Sequence, residues 1–199
     1  IWIIDPIDGT KEFLKYKSAV AFTIVSGFIT GSFMVYLSTA QQIFEHQYNL
    51  AEEFPIIFAS LAIAIGLATY LNSKLVMRFG MWRLSFLAII AYVLISVLYI
   101  ILFPQSNPSI TVLITFFALQ FFAIGFVFGN VRALALQPLG HIAGIGAALN
   151  GFISTVMAVP IANYIGSFVK DSVLPLFIGF SVFGFLSFLV FLRMKLMRT

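Results

Sequence analysis

The sequence predicts an all-α membrane protein built as a bundle of six transmembrane helices. Of its 199 residues, 61% are hydrophobic and only 9% are charged, whereas soluble domains use roughly 45–50% apolar and about 25% charged residues. The apolar residues fall into six runs, which short polar segments separate. A helix of about 20 apolar residues is long enough to cross a bilayer. A water-soluble fold of this length could not hide so much apolar surface.

The six predicted spans cover residues of about 19–40, 54–71, 84–103, 110–129, 142–165 and 174–192, and we assign residues 14–199 to the transmembrane domain. The third run, LSFLAIIAYVLISVLYIILF, contains no charged residue. As a helix it rises about 30 Å, which is the thickness of the hydrocarbon core. Polar stretches follow the first and second runs, and a proline-rich turn follows the third.

The distribution of Lys and Arg predicts the orientation of the helices. With six spans, one side of the membrane holds only Lys170, and the other holds Lys11, Lys15, Lys17, Lys74, Arg78, Arg83, Arg132, Arg193, Lys195 and Arg198. Positive residues in short loops are retained on the cytoplasmic side. We therefore expect both termini in the cytoplasm. The net charge of +4 comes from these short clusters, which are typical of membrane loops rather than of a nucleic-acid partner.

Polar residues inside the apolar runs are candidates for a substrate cavity, namely Ser26, Thr30, Gln120, Asn150 and Ser154. The alternative is that they form hydrogen bonds between helices, worth roughly 0.6–2 kcal/mol each. No Asp, Glu, Lys or Arg lies at the centre of a run. Because proton-coupled transporters usually need an ionisable group at that depth, we expect any coupling residue to lie outside this chain.

Small residues predict where helices approach one another closely. Gly27 and Gly31 are four residues apart in the first run and should face one neighbour. Ala143, Ala147 and Gly151 form a stripe in the fifth run, which we expect to be packed on more than one side.

Two loop segments carry a family resemblance. The stretch from Gly129 to Ala135, followed by QPLGHIAG, and the basic segment before the third run resemble the loops of drug:proton antiporters of the major facilitator superfamily, of the bicyclomycin and chloramphenicol resistance type. The matching positions in the junction between the tenth and eleventh helices of that family are Asn130, Arg132, Gly140, His141 and Gly144. Those in its loop between the eighth and ninth helices are Lys74, Arg78, Gly80 and Arg83.

This resemblance extends from about residue 13 to the end of the chain and covers half of such a transporter. It implies a fold of twelve helices in two halves around a cavity, of which this chain would be the C-terminal half. It further implies a bacterial cytoplasmic membrane, hydrophobic drugs and protons as partners, and a missing N-terminal half of six helices. The chain begins with Ile rather than Met, which also suggests a fragment or a processed product.

The N-terminal residues WIIDPIDGTKEF resemble the metal-binding motif of the inositol monophosphatase superfamily, especially its 3'(2'),5'-bisphosphate nucleotidases. The resemblance implies Asp5 and Asp8 as ligands of Mg²⁺, and Gly9 and Thr10 beside a phosphate. That family needs a layered α/β domain, whereas here a membrane span follows within a few residues. We therefore expect residues 1–13 to be a remnant of such a motif.

The function predicted from these observations is proton-coupled efflux of drugs by an antiporter to which this chain contributes six helices. We expect no catalysis and no cofactor, and the absence of Cys excludes disulfides and thiolate metal sites. The alternative is a Mg²⁺-dependent phosphomonoesterase that the helices anchor in the membrane. A membrane scaffold without transport activity is a third possibility.

Overall fold

The structure, a computed structural model, describes the backbone of residues 6–197 and the side chains of residues 9–197. Its described part is helical and contains no strand. The helices are α1 Pro6–Lys15, α2 Lys17–Gln42, α3 Phe54–Phe79, α4 Met81–Leu102, α5 Ile110–Leu136, α6 Ala143–Gly166 and α7 Leu174–Leu196. A π-helical turn, Ile43–Gln47, extends α2, and a 3-10 segment, Gln137–Ile142, joins α5 to α6. The predicted all-α membrane fold is confirmed.

Five helical segments of the described chain are long and apolar enough to cross a membrane, and one of them, Ile110–Gly166, has 57 residues. A straight helix of that length would extend about 85 Å, far beyond a hydrocarbon core of about 30 Å. The segment is broken at Leu139, whose backbone is non-helical with φ −106° and ψ 22°. It therefore comprises the two helices α5 and α6, which makes six crossings.

Side-chain pairs between helices give their relative directions. Residues 23, 27 and 31 of α2 meet residues 150, 157 and 161 of α6, so these two helices run parallel. By contrast, α2 and α5 are antiparallel, because Tyr36 contacts Phe117 whereas the earlier Phe33 contacts Phe128. Since α6 is parallel to α2 and α5 is antiparallel to it, the chain reverses direction between α5 and α6.

The helices extend beyond the predicted apolar runs on the basic face. Lys74 and Arg78 were expected in a loop, but they lie in the last turns of α3, and Gly80 alone separates α3 from α4. Its φ of 79° is in the left-handed region, which glycine adopts without steric cost. The α3 helix thus continues to Phe79, and the chain turns at Gly80. Asn130 and Arg132 similarly lie within α5 rather than in a loop.

The loops at the opposite end of the bundle are tied together by hydrogen bonds. Asn107 donates to Gln47 Oε1 at 2.9 Å and accepts from the backbone N–H of Val173 at 3.0 Å. Gln47 donates to the Lys170 carbonyl at 3.0 Å, and the Tyr48 hydroxyl donates to the Pro108 carbonyl at 2.9 Å. These contacts join all three loops of this face. Partial burial also raises the pKa of Tyr48 to about 12.

The small-residue predictions had two outcomes. A Cβ atom added to Gly27 would lie 2.7 Å from the Met157 sulfur, and one added to Gly31 would lie 2.9 Å from Ile161 Cδ1. The close approach of a neighbour to these glycines is therefore confirmed. The main neighbour of α6 in the described chain is α2, and no neighbouring atom lies within 4 Å of a Cβ placed on Gly151. The expectation that α6 is packed on more than one side stays a prediction.

Candidate functional site

Four of the five predicted cavity residues meet at the contact between α2 and α6. Asn150 donates a hydrogen bond of 2.8 Å to Thr23 Oγ1. The hydroxyls of Ser26, Thr30 and Ser154 are buried, and none has a hydrogen-bond partner among the described residues. The contact thus contains one satisfied amide donor and three hydroxyls that have no hydrogen-bond partner among the described residues.

Helical spacing explains why these groups converge. Positions 23, 26 and 30 recur every three to four residues on one face of α2, and positions 150 and 154 do so on α6. Gly27 and Gly31 belong to the same face of α2 and contact Met157 and Ile161. The two glycines let the helices approach closely enough for Asn150 to reach Thr23.

Gln120 lies apart from this group, at the contact between α5 and α4. Its amide nitrogen donates a short hydrogen bond to Ser96 Oγ, while its carbonyl oxygen is buried without a partner. The Tyr92 hydroxyl is buried beside Ser32 and Gln120. This second polar group joins α2, α4 and α5 at the centre of the bundle.

The predicted cavity residues are therefore enclosed between helices of this chain. Ser26, Gln120, Asn150 and Ser154 are each at most 4% exposed, and Thr30 is half-buried. Asn150 and Gln120 make hydrogen bonds between helices, which is the alternative that the sequence left open. Ser26, Thr30 and Ser154 make none among the described residues. A role in lining a substrate cavity stays a prediction.

One buried polar pair was not identified from the sequence as a site. Asn72 donates to Asn130 Oδ1 at 3.0 Å, and Asn130 donates to Asn72 Oδ1 at 2.7 Å. The pair links α3 to α5 next to Gly125, where an added Cβ would lie 2.6 Å from Ala68 Cβ. In the sequence Asn72 is only the polar end of a predicted span, because a linear pattern does not show that two amides 58 residues apart are reciprocal partners.

The family-motif residues on the basic face are mostly exposed. Lys74 lies over the Tyr70 ring, with its Nζ 4.4 Å from the ring centroid. Arg83, Arg132 and Gly140 are exposed. A Cβ added to Gly144 would have no neighbour within 4 Å.

The residues around α1 link it to the start of α6. His141 Nε2 lies 3.8 Å from Glu12 Oε1. Lys15 donates a 2.7 Å hydrogen bond to Glu12, which holds the pKa of that carboxyl below its usual range. Phe13 is buried against Leu139 and Ile142. The short helix α1 is therefore docked on the basic end of the bundle.

The phosphatase-like motif is helical where the structure describes it. Gly9 and Thr10 lie inside α1, and a Cβ on Gly9 would meet Ile145 Cδ1 at 2.7 Å. Gly9 thus allows α1 to approach α6. Asp5 lies outside the described residues, as does the side chain of Asp8. Within the described part, no group of three or more His, Cys, Asp and Glu side chains gathers in metal-binding proximity.

Comparison with known proteins identifies a transporter-like relative. The "Uncharacterized MFS-type transporter YdgK" of Bacillus subtilis (strain 168) is 26% identical over 157 residues, which cover 77% of this chain and 38% of the relative. The chain therefore spans about two fifths of the length of that relative. No protein-family profile matches the sequence, and no solved structure matches it. The similarity and the helical fold describe a multi-pass membrane protein that resembles transporters of the major facilitator superfamily and favour a role other than catalysis.

Proposed function

We propose that this chain is the C-terminal half of a proton-coupled multidrug efflux antiporter in a bacterial cytoplasmic membrane, with both termini in the cytoplasm. The observation that carries the proposal is the likeness of a six-crossing helical bundle to an MFS-type transporter of which it spans 38%. The drug-efflux assignment rests on the resemblance of the segment around Asn130, Arg132 and His141 to bicyclomycin and chloramphenicol exporters.

The open helix faces support a partner of six further helices. In the most apolar part of α3, only 11% of the residues are buried, compared with 56% in the most apolar part of the segment Lys17–Gln47, which contains α2. On α6, Gly144, Ala147, Ala148 and Gly151 point away from α2, and the two glycines have open space at the Cβ position. Small residues permit close packing of helices in a bilayer. The missing half would pack on these faces and enclose the cavity with this one.

The transport step in this proposal needs no resident cofactor. The substrates are hydrophobic drugs and protons, and the residue that binds the proton belongs to the other half. This chain would contribute the polar groups at the α2–α6 contact and Gln120 when the halves rock against each other. Lipid is its surrounding partner, and nucleic acid has no part in the proposed function.

Efflux measurements on the intact transporter test the proposal. Cells that express the whole protein should extrude ethidium, and a protonophore should abolish the extrusion. The chain alone should give no efflux, because alternating access needs two halves around one site. Ethidium efflux that persists after collapse of the proton gradient would contradict the antiport mechanism, and proton-dependent efflux by the isolated monomeric chain would contradict its assignment as a half.

Cysteine labelling tests the proposed orientation. The chain contains no Cys, so single substitutions at Asn49 and Ser73 give unambiguous signals. Both residues are exposed; Asn49 precedes α3, and Ser73 lies in its last two turns. An impermeant thiol reagent added to intact cells should label Asn49→Cys and spare Ser73→Cys. The opposite pattern would reverse the assigned faces.

We propose that the N-terminal motif has no phosphatase activity in this chain. The packing of Gly9 against Ile145 supports this view. In the enzyme family the corresponding glycine lies beside the phosphate, whereas here the Ile145 side chain takes that place. Hydrolysis of phosphate esters by two-metal sites requires an aligned water and leaving group, and a displacement of about 1 Å can lower the rate about a hundredfold. The purified chain in Mg²⁺ should release no phosphate from inositol phosphate or 3'-phosphoadenosine 5'-phosphate. Turnover that disappears in Asp5→Asn would favour the enzyme.

A further inference from the structure

A groove of 330 Å³ lies between the start of α2 and the end of α7. Because α2 begins where α7 ends, the groove is at the basic end of the bundle, next to α1. Lys17 and Arg193 lie on its wall, and both are exposed. The position places two cations at the level where the polar surface of a bilayer meets its hydrocarbon core.

The floor of the groove is apolar. Val20 and Ile24 of α2 and Val190 of α7 form it, about one to two helical turns deeper than the cations, and Met194 lines the groove beside Arg193. Leu14, at the end of α1, is 60% exposed at the rim. The groove therefore combines a cationic mouth with a hydrophobic interior.

No described side chain neutralises the two cations by an ion pair. Neither Lys17 nor Arg193 has an ion-pair partner among the residues that the structure describes. Lys17 is also the first residue of α2, where the partial positive charge of the helix adds to its own. An anionic group at the mouth would satisfy both side chains.

We propose that this groove binds one anionic phospholipid of the leaflet on the basic side, with its phosphate between Lys17 and Arg193 and an acyl chain along the floor. The charge at the mouth complements the lipid headgroup, and the apolar floor complements the chain. Basic pockets between transmembrane helices hold anionic headgroups in this way. A zwitterionic lipid would lose the net attraction, and a soluble phosphate would leave the floor exposed.

Native mass spectrometry of the detergent-purified chain tests the proposal by titration with dioleoyl phosphatidylglycerol and dioleoyl phosphatidylcholine. We expect one preferred site for phosphatidylglycerol. The double variant Lys17→Gln/Arg193→Gln should weaken that site by about fivefold for each cation, hence more than tenfold in total. Glycerol phosphate at the same concentration should not compete, because it lacks the chain that fills the floor.

A matched control separates the groove from general surface charge. Arg83→Gln/Arg132→Gln removes the same charge from exposed residues of the same face outside the groove, and it should leave the site intact. Ala21→Phe, which fills the floor without changing charge, should weaken lipid binding. Equal losses in the two double variants, or no preference for phosphatidylglycerol, would overturn the proposal. Competition by glycerol phosphate would assign the site to free phosphate instead.

Discussion

The α2–α6 and α4–α7 contacts hold two pairs of helices together by different means. Between α2 and α6, glycines and a side-chain hydrogen bond bring the helices close. Between α4 and α7, aromatic rings fill the space: Tyr99 and Phe177 are stacked with centroids 3.7 Å apart, and Trp82 lies 5.0 Å from Phe191. The first contact is narrow and polar, whereas aromatic rings dominate the second, in which Gly184 of α7 also lies close to Tyr92 and Val93 of α4.

The difference shows how a bilayer changes the forces of packing. Lipid tails are as apolar as the helices, so burial from water does not drive helix association there. The α2–α6 contact is stabilised by close approach of the backbones and by an amide hydrogen bond. The α4–α7 contact is stabilised by dispersion and by the relative orientation of the rings, since aromatic pairs contribute about 0.5–1.5 kcal/mol beyond their buried area.

The largest predicted effect on stability concerns the aromatic contact. Phe177 is fully buried and packs against Tyr99, Phe117 and Phe180. Phe177→Ala should lower the free energy of unfolding by about 3 kcal/mol, because it leaves a cavity among these rings. Unfolding of the purified chain in SDS, followed by tryptophan fluorescence, measures the change. Phe185→Ala, at a residue that is 50% exposed, should cost much less, and equal costs would show that the stacked rings add nothing.

The second effect comes from closing the narrow contact. Gly31→Leu should destabilise the chain by about 2 kcal/mol, because the new side chain collides with Ile161. Gly151→Leu is the control on the open face of α6, where no neighbour lies within 4 Å of the Cβ. The same SDS titration should find the control unchanged or more stable. If Gly151→Leu were as costly as Gly31→Leu, the assignment of α6 faces would be wrong.

A smaller effect is expected from the interhelical hydrogen bond. Asn150→Leu should cost about 1 kcal/mol, because the bond to Thr23 is lost. Ser154→Ala should cost almost nothing, since the Ser154 hydroxyl has no partner in the described chain. In the intact transporter, ethidium efflux should also fall further in Asn150→Leu than in Ser154→Ala. The reverse order would mean that Ser154 has a partner that appears only in the complete protein.

The last predicted effect, of about the same size as that of Asn150→Leu, concerns the turn between α3 and α4. Gly80→Ala should cost about 1 kcal/mol, because alanine is strained at a φ of 79°. Gly66→Ala, within α3 and without a neighbour at its Cβ position, should be neutral or mildly stabilising, since alanine favours helix. Thermal unfolding of the two variants in the same detergent gives the comparison. A neutral Gly80→Ala would show that the turn relaxes to another conformation.

Composition and spacing determined the fold class and the approximate positions of the spans. Helices satisfy their own backbone hydrogen bonds, so an apolar run in lipid has essentially one structure available. The close neighbour of Gly27 and Gly31 could also be predicted, because small residues four apart occupy one face of a helix. The ends of α3 and α5 could not be predicted from the sequence. Polar residues at the membrane surface neither require nor prevent another helical turn.

Which residues meet was decided by the tertiary structure alone. The sequence placed Ser26, Thr30, Gln120, Asn150 and Ser154 in one predicted cavity, and the fold divides them into a group at α2–α6 and a second around Gln120. It also paired Asn72 with Asn130 across 58 residues. The sequence sets the face of each helix on which a side chain lies. The partner of that face depends on helix order and crossing direction in the bundle, which local patterns do not encode.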